Sequence, residues 1–304
     1  MIKLSYIITT YNKLPFLKEV IGHLLKHVET DEEIVVTDGG STDGTVDYLN
    51  DLFKEKKIQQ YISEKDKGEA HGFNKAIFMS SGEIIKIITD DDAFYYPVVK
   101  ACKHFMLAHN AVDVLGGNSG NIYVNDLQTL GYSEDFEADY IRWKNGKMKN
   151  FFFNGTCLML RKSSLPLTGI FDANSLLTDL EFTLRITSNA NLAWCKGLMS
   201  VRILNDQSNN LRFAERSKLE DEKLCNYYNF RHAHVRREEA RQNRSLYLKT
   251  RSKISDVKIK LLIRKEKALP KDPKENSFAE VHKHCLNWML NHELNKEITF
   301  YTKG

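Results

Sequence analysis

Residues 3–9, Lys-Leu-Ser-Tyr-Ile-Ile-Thr, form a short, mostly apolar and β-branched run that stops at a polar break. That pattern predicts a buried strand. From Leu14 to His27 apolar residues recur every three or four positions, which predicts a helix with Pro15 acceptable in its first turn. The alternation continues with a strand at 34–37 and the turn cluster Asp38-Gly-Gly-Ser-Thr-Asp-Gly44. A helix that Thr45 can cap follows, then a strand at 58–62, a helix at 69–80 and a strand at 84–88. The last strand delivers Asp90-Asp91-Asp92. Strand–helix alternation with short connections predicts an α/β fold with a mostly parallel, doubly wound sheet. Ligands of such sheets bind beyond the carboxyl ends of the strands. The polar clusters at 9–12, 38–44, 64–68 and 89–92 all fall there.

Beyond residue 110 the pattern loosens. Strands are expected near 112–124, 151–161 and 192–204, with a helix at 178–188. Gly116-Gly-Asn-Ser-Gly120 reads as a turn, because no helix start follows it. From Phe213 the chain looks helical and polar through a basic stretch at 231–253. Pro270 and Pro273 break it before an amphipathic helix at 278–294. From Arg216 to Gly304 there are 21 Lys and Arg against 12 Asp and Glu, whereas the preceding chain is net acidic. This shift predicts a compositional boundary, with an α/β domain over 1–212 and a helical, basic region over 213–304.

Apolar runs are broken by charge well short of a membrane span, and the N-terminus lacks the pattern of a signal peptide. Five scattered cysteines show no CxxC pair and no His-rich spacing, against both a disulfide framework and a structural zinc site. A reducing, cytoplasmic setting is expected.

Three adjacent carboxylates repel one another unless a cation or solvent offsets them, and a hard divalent ion shared with substrate phosphates is one solution. A solvated turn is the other, but a position after the fourth strand favours the ion. Asp38 is either a turn former or a hydrogen-bond acceptor for a flat base lying close to the glycines. Tyr11 is either packing or a stacking surface. Asp179 begins the helix at 178, either as a helix-dipole carboxylate or as a general base. No dinucleotide fingerprint or phosphate loop is present.

Taken in order, these segments resemble the family 2 inverting glycosyltransferases of GT-A fold. The matching pieces are Ser5-Tyr-Ile-Ile-Thr-Thr-Tyr-Asn12, Ile34-Val-Val-Thr-Asp-Gly-Gly-Ser-Thr-Asp-Gly-Thr45 and Ser63-Glu-Lys-Asp-Lys-Gly68. Asn74-Lys75, Gly82-Glu-Ile-Ile85, the Asp triplet, Asn154-Gly-Thr156, Gly169-Ile-Phe-Asp172 and Thr178-Asp179 follow. The resemblance covers about the first 205 residues. It implies a metal-dependent hexosyl- or N-acetylhexosaminyl-transferase acting in cell-surface polysaccharide or glycolipid synthesis. Thr9 and Tyr11 would border the base and Asp38 would bind it. Asp90 would hold the ribose, Asp91 with Asp92 the Mn²⁺ or Mg²⁺ ion, and Asp179 would be the catalytic base. The expected partners are a UDP-sugar donor and a saccharide or lipid-linked acceptor, with no nucleic acid. Apart from the resemblance, the charge of the C-terminal region suits either peripheral contact with the inner membrane surface or a lipid-linked acceptor, or else a solvated helical face or subunit interface.

Two positions depart from the family pattern. Phe73 stands where many members have Arg, leaving Lys67 or Lys75 to supply positive charge. The stretch Arg202-Ile-Leu-Asn-Asp206 lacks a metal-binding His, leaving Asn205 or Asp206 to complete the site. The QxxRW segment of processive synthases is absent, so a single addition is expected. The rival readings are a sugar-nucleotide pyrophosphorylase and a non-catalytic nucleotide-sugar-binding protein.

Overall fold

The first strand, β1 (Leu4–Thr10), is buried along its whole length in a computed structural model that describes residues 1–205, 212–251 and 276–302. Its period-two alternation feeds two cores. Leu4, Tyr6 and Ile8 pack on α1 (Leu14–Leu24), whereas Ile7 faces the opposite side. Next come β2 (Glu32–Asp38), α2 (Thr45–Lys54), β3 (Gln60–Ser63), α3 (Glu69–Met79) and β4 (Ile84–Ile88). The four strands are mutually parallel in the order β3-β2-β1-β4, and helices on both faces explain their near-continuous apolar runs.

The chain continues through β5 (Ala93–Phe94), α4 (Tyr96–Ala108), β6 (Val114–Tyr123), β7 (Asp126–Tyr132) and α5 (Asp135–Lys144). Then follow β8 (Met159–Arg161), α6 (Leu165–Thr168), α7 (Thr178–Ile186) and β9 (Leu192–Leu204). Here the mostly parallel sheet takes in antiparallel strands. β8 runs antiparallel between β4 and β6, and only β6 and β9 pair in parallel. The sheet is therefore mixed, with its longest registers, β6–β9 among them, parallel. The expected strand at 151–161 is a strand only over its last three residues, after a 3₁₀ turn at Gly155–Cys157.

The glycines at 116–120 are not a turn but the middle of β6. A Cβ on Gly116 would lie 2.9 Å from both Phe153 and Trp194, and one on Gly120 2.9 Å from Trp288. The glycines make room for aromatic side chains packed across the strand. At α2 the cap also differs from expectation. Thr45 is the first helical residue, and Asp43 accepts its N–H at 3.1 Å and its hydroxyl at 2.6 Å.

The C-terminal part comprises α8 (Ala214–Tyr227), α9 (Ala233–Arg251), α10 (Phe278–Asn291) and β10 (Phe300–Tyr301). A Ser277–Glu280 capping box opens α10. That helix buries Val281, Cys285 and Met289 against β5, β6 and β9, and β10 extends the sheet edge beside β9. The last helix and strand of the basic region thus pack into the core built by the first 204 residues. Pro270, Pro273 and Asp206 lie outside the described residues.

Candidate active site

Parallel pairing sets Ile8 beside Ile88, so the chain leaving β1 and the chain leaving β4 emerge together. Between them and the start of α7 lies a cleft of about 440 Å³, within the usual range for small-ligand sites. Thr9, Tyr11, Lys67, Asp90, Asp91, Asp92 and Asp179 all line it. Asp38 does not, and it is fully buried. Asp38 Oδ2 accepts from Gly40 N (3.1 Å), Ser41 N (2.9 Å) and Ser63 Oγ (2.6 Å), and Oδ1 accepts from Ser41 Oγ. Oδ2 thus takes three donors and Oδ1 one, so the carboxylate holds the turn at 38–41 and keeps one Oδ1 lone-pair position.

The Asp triplet divides its work. Asp92 Oδ1 accepts the Ile203 N–H at 2.8 Å, and Oδ2 accepts the Thr89 hydroxyl at 2.6 Å. It thereby ties β4 to the end of β9. Burial and the Asp91 charge push its carboxyl up to about 7. Asp91 Oδ2 accepts from Lys13 Nζ at 2.6 Å and from Asn205 Nδ2 at 3.2 Å. Lys13 also reaches Asp90 Oδ1 at 3.3 Å. Burial opposes the Lys13 charge, but Asp90 and Asp91 outweigh it and hold the ammonium above its ordinary range. Burial raises Asp90 to about 6 against the pull of Lys13.

Asp179 comes to the same cleft from α7. Its Oδ1 accepts the Leu180 N–H at 2.9 Å and its Oδ2 the Gly155 N–H at 3.3 Å. Any Cβ at Gly155 would stand 3.1 Å from that of Asp179, so the glycine permits the approach. Glu181 is committed elsewhere, to Arg185 at 2.7 Å and Tyr228 at 3.3 Å.

Tyr11 is exposed at the rim, while Phe73 is buried against Phe171 in the cleft wall. Of the two candidate lysines, Lys67 lines the cleft and Lys75 pairs with Glu64 at 3.4 Å. Sequence reasoning missed Lys13, Glu69, Arg202, Arg212 and Arg216, which also line it. Burial lifts Glu69 to about 7, Lys13 opposing and the charges of Asp179, Asp90 and Asp91 adding. Lys13 directly follows the polar cluster at 9–12, a positional signal that a ligand-edge argument could have used.

Residues 5–166 match glycosyl transferase family 2. A glycosyltransferase, GlyG, of Streptococcus pneumoniae is 27% identical over 163 residues, 52% of this chain and 54% of that protein. An uncharacterized glycosyltransferase of Nostoc sp. is 26% identical over 151 residues, 47% of each. One of Rickettsia bellii is 30% identical over 110 residues, 36% of this chain and 16% of its own. The chain therefore spans about half, or less, of the length of these curated relatives. Among solved structures, Staphylococcus aureus TarS 1–349 with UDP-GlcNAc superposes with a TM-score of 0.54 at 17% identity, covering 68% of this chain and 60% of that one. The mannosyltransferase PcManGT of Pyrobaculum calidifontis, solved with GDP-Man and Mn²⁺, gives 0.53 at 18% identity, covering 70% and 60%. With the family's segments matched over more than half its length and a GT-A sheet carrying them, the chain belongs to glycosyl transferase family 2.

Proposed function

We propose that the protein transfers a sugar from a nucleoside-diphosphate sugar, UDP being the expected nucleotide, to an acceptor hydroxyl with inversion and one addition per cycle. The observation that carries this reading is the convergence of the Asp90–Asp91–Lys13 cluster and the Asp179 carboxylate on one cleft. Family membership and GT-A neighbours solved with UDP-GlcNAc and GDP-Man support a nucleotide-sugar donor.

Each carboxylate oxygen of Asp179 accepts one backbone N–H, leaving a lone pair for an acceptor hydroxyl proton. The N–H bonds fix its orientation, the main demand on a general base. Asp91 offers carboxylate oxygens and Asn205 an amide oxygen of the hard kind Mg²⁺ and Mn²⁺ take, and the Asn205 amide nitrogen, donating to Asp91 Oδ2, already holds the two side chains together. When bound there, such an ion neutralises charge on a leaving diphosphate. Lys13, Lys67 and Arg202 add cationic groups to the same cleft. Asp90 takes the ribose side, and Thr9 and Tyr11 border the base. Asp38 acts one step removed, by holding the turn at 38–41 against the end of β1. The acceptor is a saccharide or a lipid-linked saccharide.

Calorimetric titration with UDP, GDP, CDP and dTDP in the presence of Mn²⁺ tests the donor. UDP is expected to bind tightest, with metal-dependent release of UDP from a UDP-sugar once acceptor is added. Tightest binding of GDP would overturn the nucleotide assignment.

A further inference from the structure

The sequence has no CxxC pair, yet the elbow between α8 and α9 gathers a mixed set of ligand atoms. Asp221 and Cys225 lie one turn apart on α8, and His232, just before α9, returns to them. His232 Nε2 is 2.8 Å from Asp221 Oδ1, and the Cys225 sulfur is 3.8 Å from Asp221 Oδ2. The three donor atoms lie within 4.8 Å of one another. His234 stacks on His232 with ring centroids 5.6 Å apart. Around them Phe152, Leu224 and Phe230 supply an apolar shell.

We propose that Asp221, Cys225 and His232 bind a zinc ion, with the fourth position left to His234 or solvent. Carboxylate oxygen, thiolate sulfur and imidazole nitrogen are all zinc donors. At zinc–ligand distances of about 2.0–2.3 Å, a tetrahedron puts its donor atoms roughly 3.3–3.8 Å apart. The observed spacings bracket that range, so small side-chain rotations suffice. A hydrogen bond from His232 and another from the Cys225 thiol explain each Asp221 contact separately. They do not explain why sulfur and imidazole also converge on each other. Burial and the Asp221 charge hold the free thiol up at about 11. Binding therefore replaces the S–H bond with a Zn–S bond and releases that proton to solvent. Thiolate and carboxylate together balance the dication.

The site would brace the helix that carries Asp179. On α8, Glu220 accepts from Ser175 Oγ (2.5 Å), Leu176 N (2.8 Å) and Leu177 N (2.9 Å) immediately before α7. Past the end of α8, Tyr228 donates to Glu181 within α7. A metal clamp at the elbow fixes both contacts without touching the cleft.

The test uses the full-length chain stripped with a chelator and titrated with Co²⁺, whose thiolate charge-transfer absorption reports sulfur ligation. The band is expected to saturate near a single equivalent, to be displaced by Zn²⁺, and to be lost in Cys225→Ser and His232→Ala. It should persist in Asp91→Ala, which separates this site from any ion at the cleft. Zinc should raise the melting temperature of wild type and Asp91→Ala but not of Cys225→Ser. Cys225→Ser without metal should melt with wild type; if it fails to fold, the His232→Ala titration decides. No thiolate band in wild type, or a band that survives both substitutions at 225 and 232, overturns the proposal.

Discussion

Asp179 and Glu181 stand two residues apart on α7 and differ in what surrounds them. Glu181 is locked by Arg185 and Tyr228, whereas Asp179 meets only backbone N–H groups and the cleft. Asp179→Asn keeps the volume and one accepting oxygen. Nucleotide affinity and melting temperature should therefore stay near wild type, while transfer falls by at least about a hundredfold, as for loss of a positioned base. Transfer at the wild-type rate would shift attention to Glu69, which shares the cleft, and not to Glu181. The Asp triplet makes a second residue-scale prediction. Asp91→Ala should abolish the metal enhancement of UDP binding in calorimetry. Asp92→Ala should keep more of that enhancement but cost stability, about 1–3 kcal/mol for the buried donors it leaves unpaired; denaturant melts check this. Two equal metal responses would reject the division of labour. At this scale the sequence was readable where polar residues end strands, as at Asp90 and Asp91. At Lys13 only its place after the polar cluster at 9–12 was readable, and its pairing with Asp90 and Asp91 was not until the partner strand is known. Nor could it reveal that Asp38 turns inward.

Among the elements, those with strong periodicity, such as α3 and β9, were legible to within a residue or two. β6 was expected near 112–124 but not its unbroken course, because Gly116 and Gly120 mimic a turn unless one knows that Phe153, Trp194 and Trp288 press on them. α10 docks on α1 through an imidazole cluster. His23 and His282 lie 5.7 Å apart between ring centroids, with His27 and Tyr96 against His23. Burial, followed by the neighbouring His27, lowers His23 to about 4; burial and then Lys26 lower His282 to about 4. Both folded-state values lie below the ordinary 6.5. The unfolded chain therefore binds more protons between about pH 6.5 and 4, and stability must fall as pH drops through that window. Above about 6.5 this contribution is complete. Melting temperatures measured across the window should decline, and His282→Gln should flatten the decline. An unchanged slope in that variant would exclude the cluster as the cause.

For the molecule as a whole, the parallel strands were legible and the antiparallel insertion of β8 was not, since it is only three residues long and sits between distant neighbours. Charge asymmetry was visible, but not its use: Arg236 and Arg237 pair with Asp139 and Asp135 on α5. No helix among the described residues is long and apolar enough to cross a membrane. We propose that the remaining basic groups after residue 212 contact an anionic surface, each worth about 1 kcal/mol near it. Co-sedimentation with anionic vesicles should occur at low salt and disappear at high salt; none at low salt would dispose of it. The Glu220 contacts carry a different consequence. Three donors before α7 share one oxygen of that carboxylate, so the loop at 175–177 and helix α8 are interlocking parts. Recombination between members of the family that exchanges one without the other leaves a half-buried carboxylate without its donors or orphans a loop. The two segments should therefore be inherited, and should be grafted, as a single module.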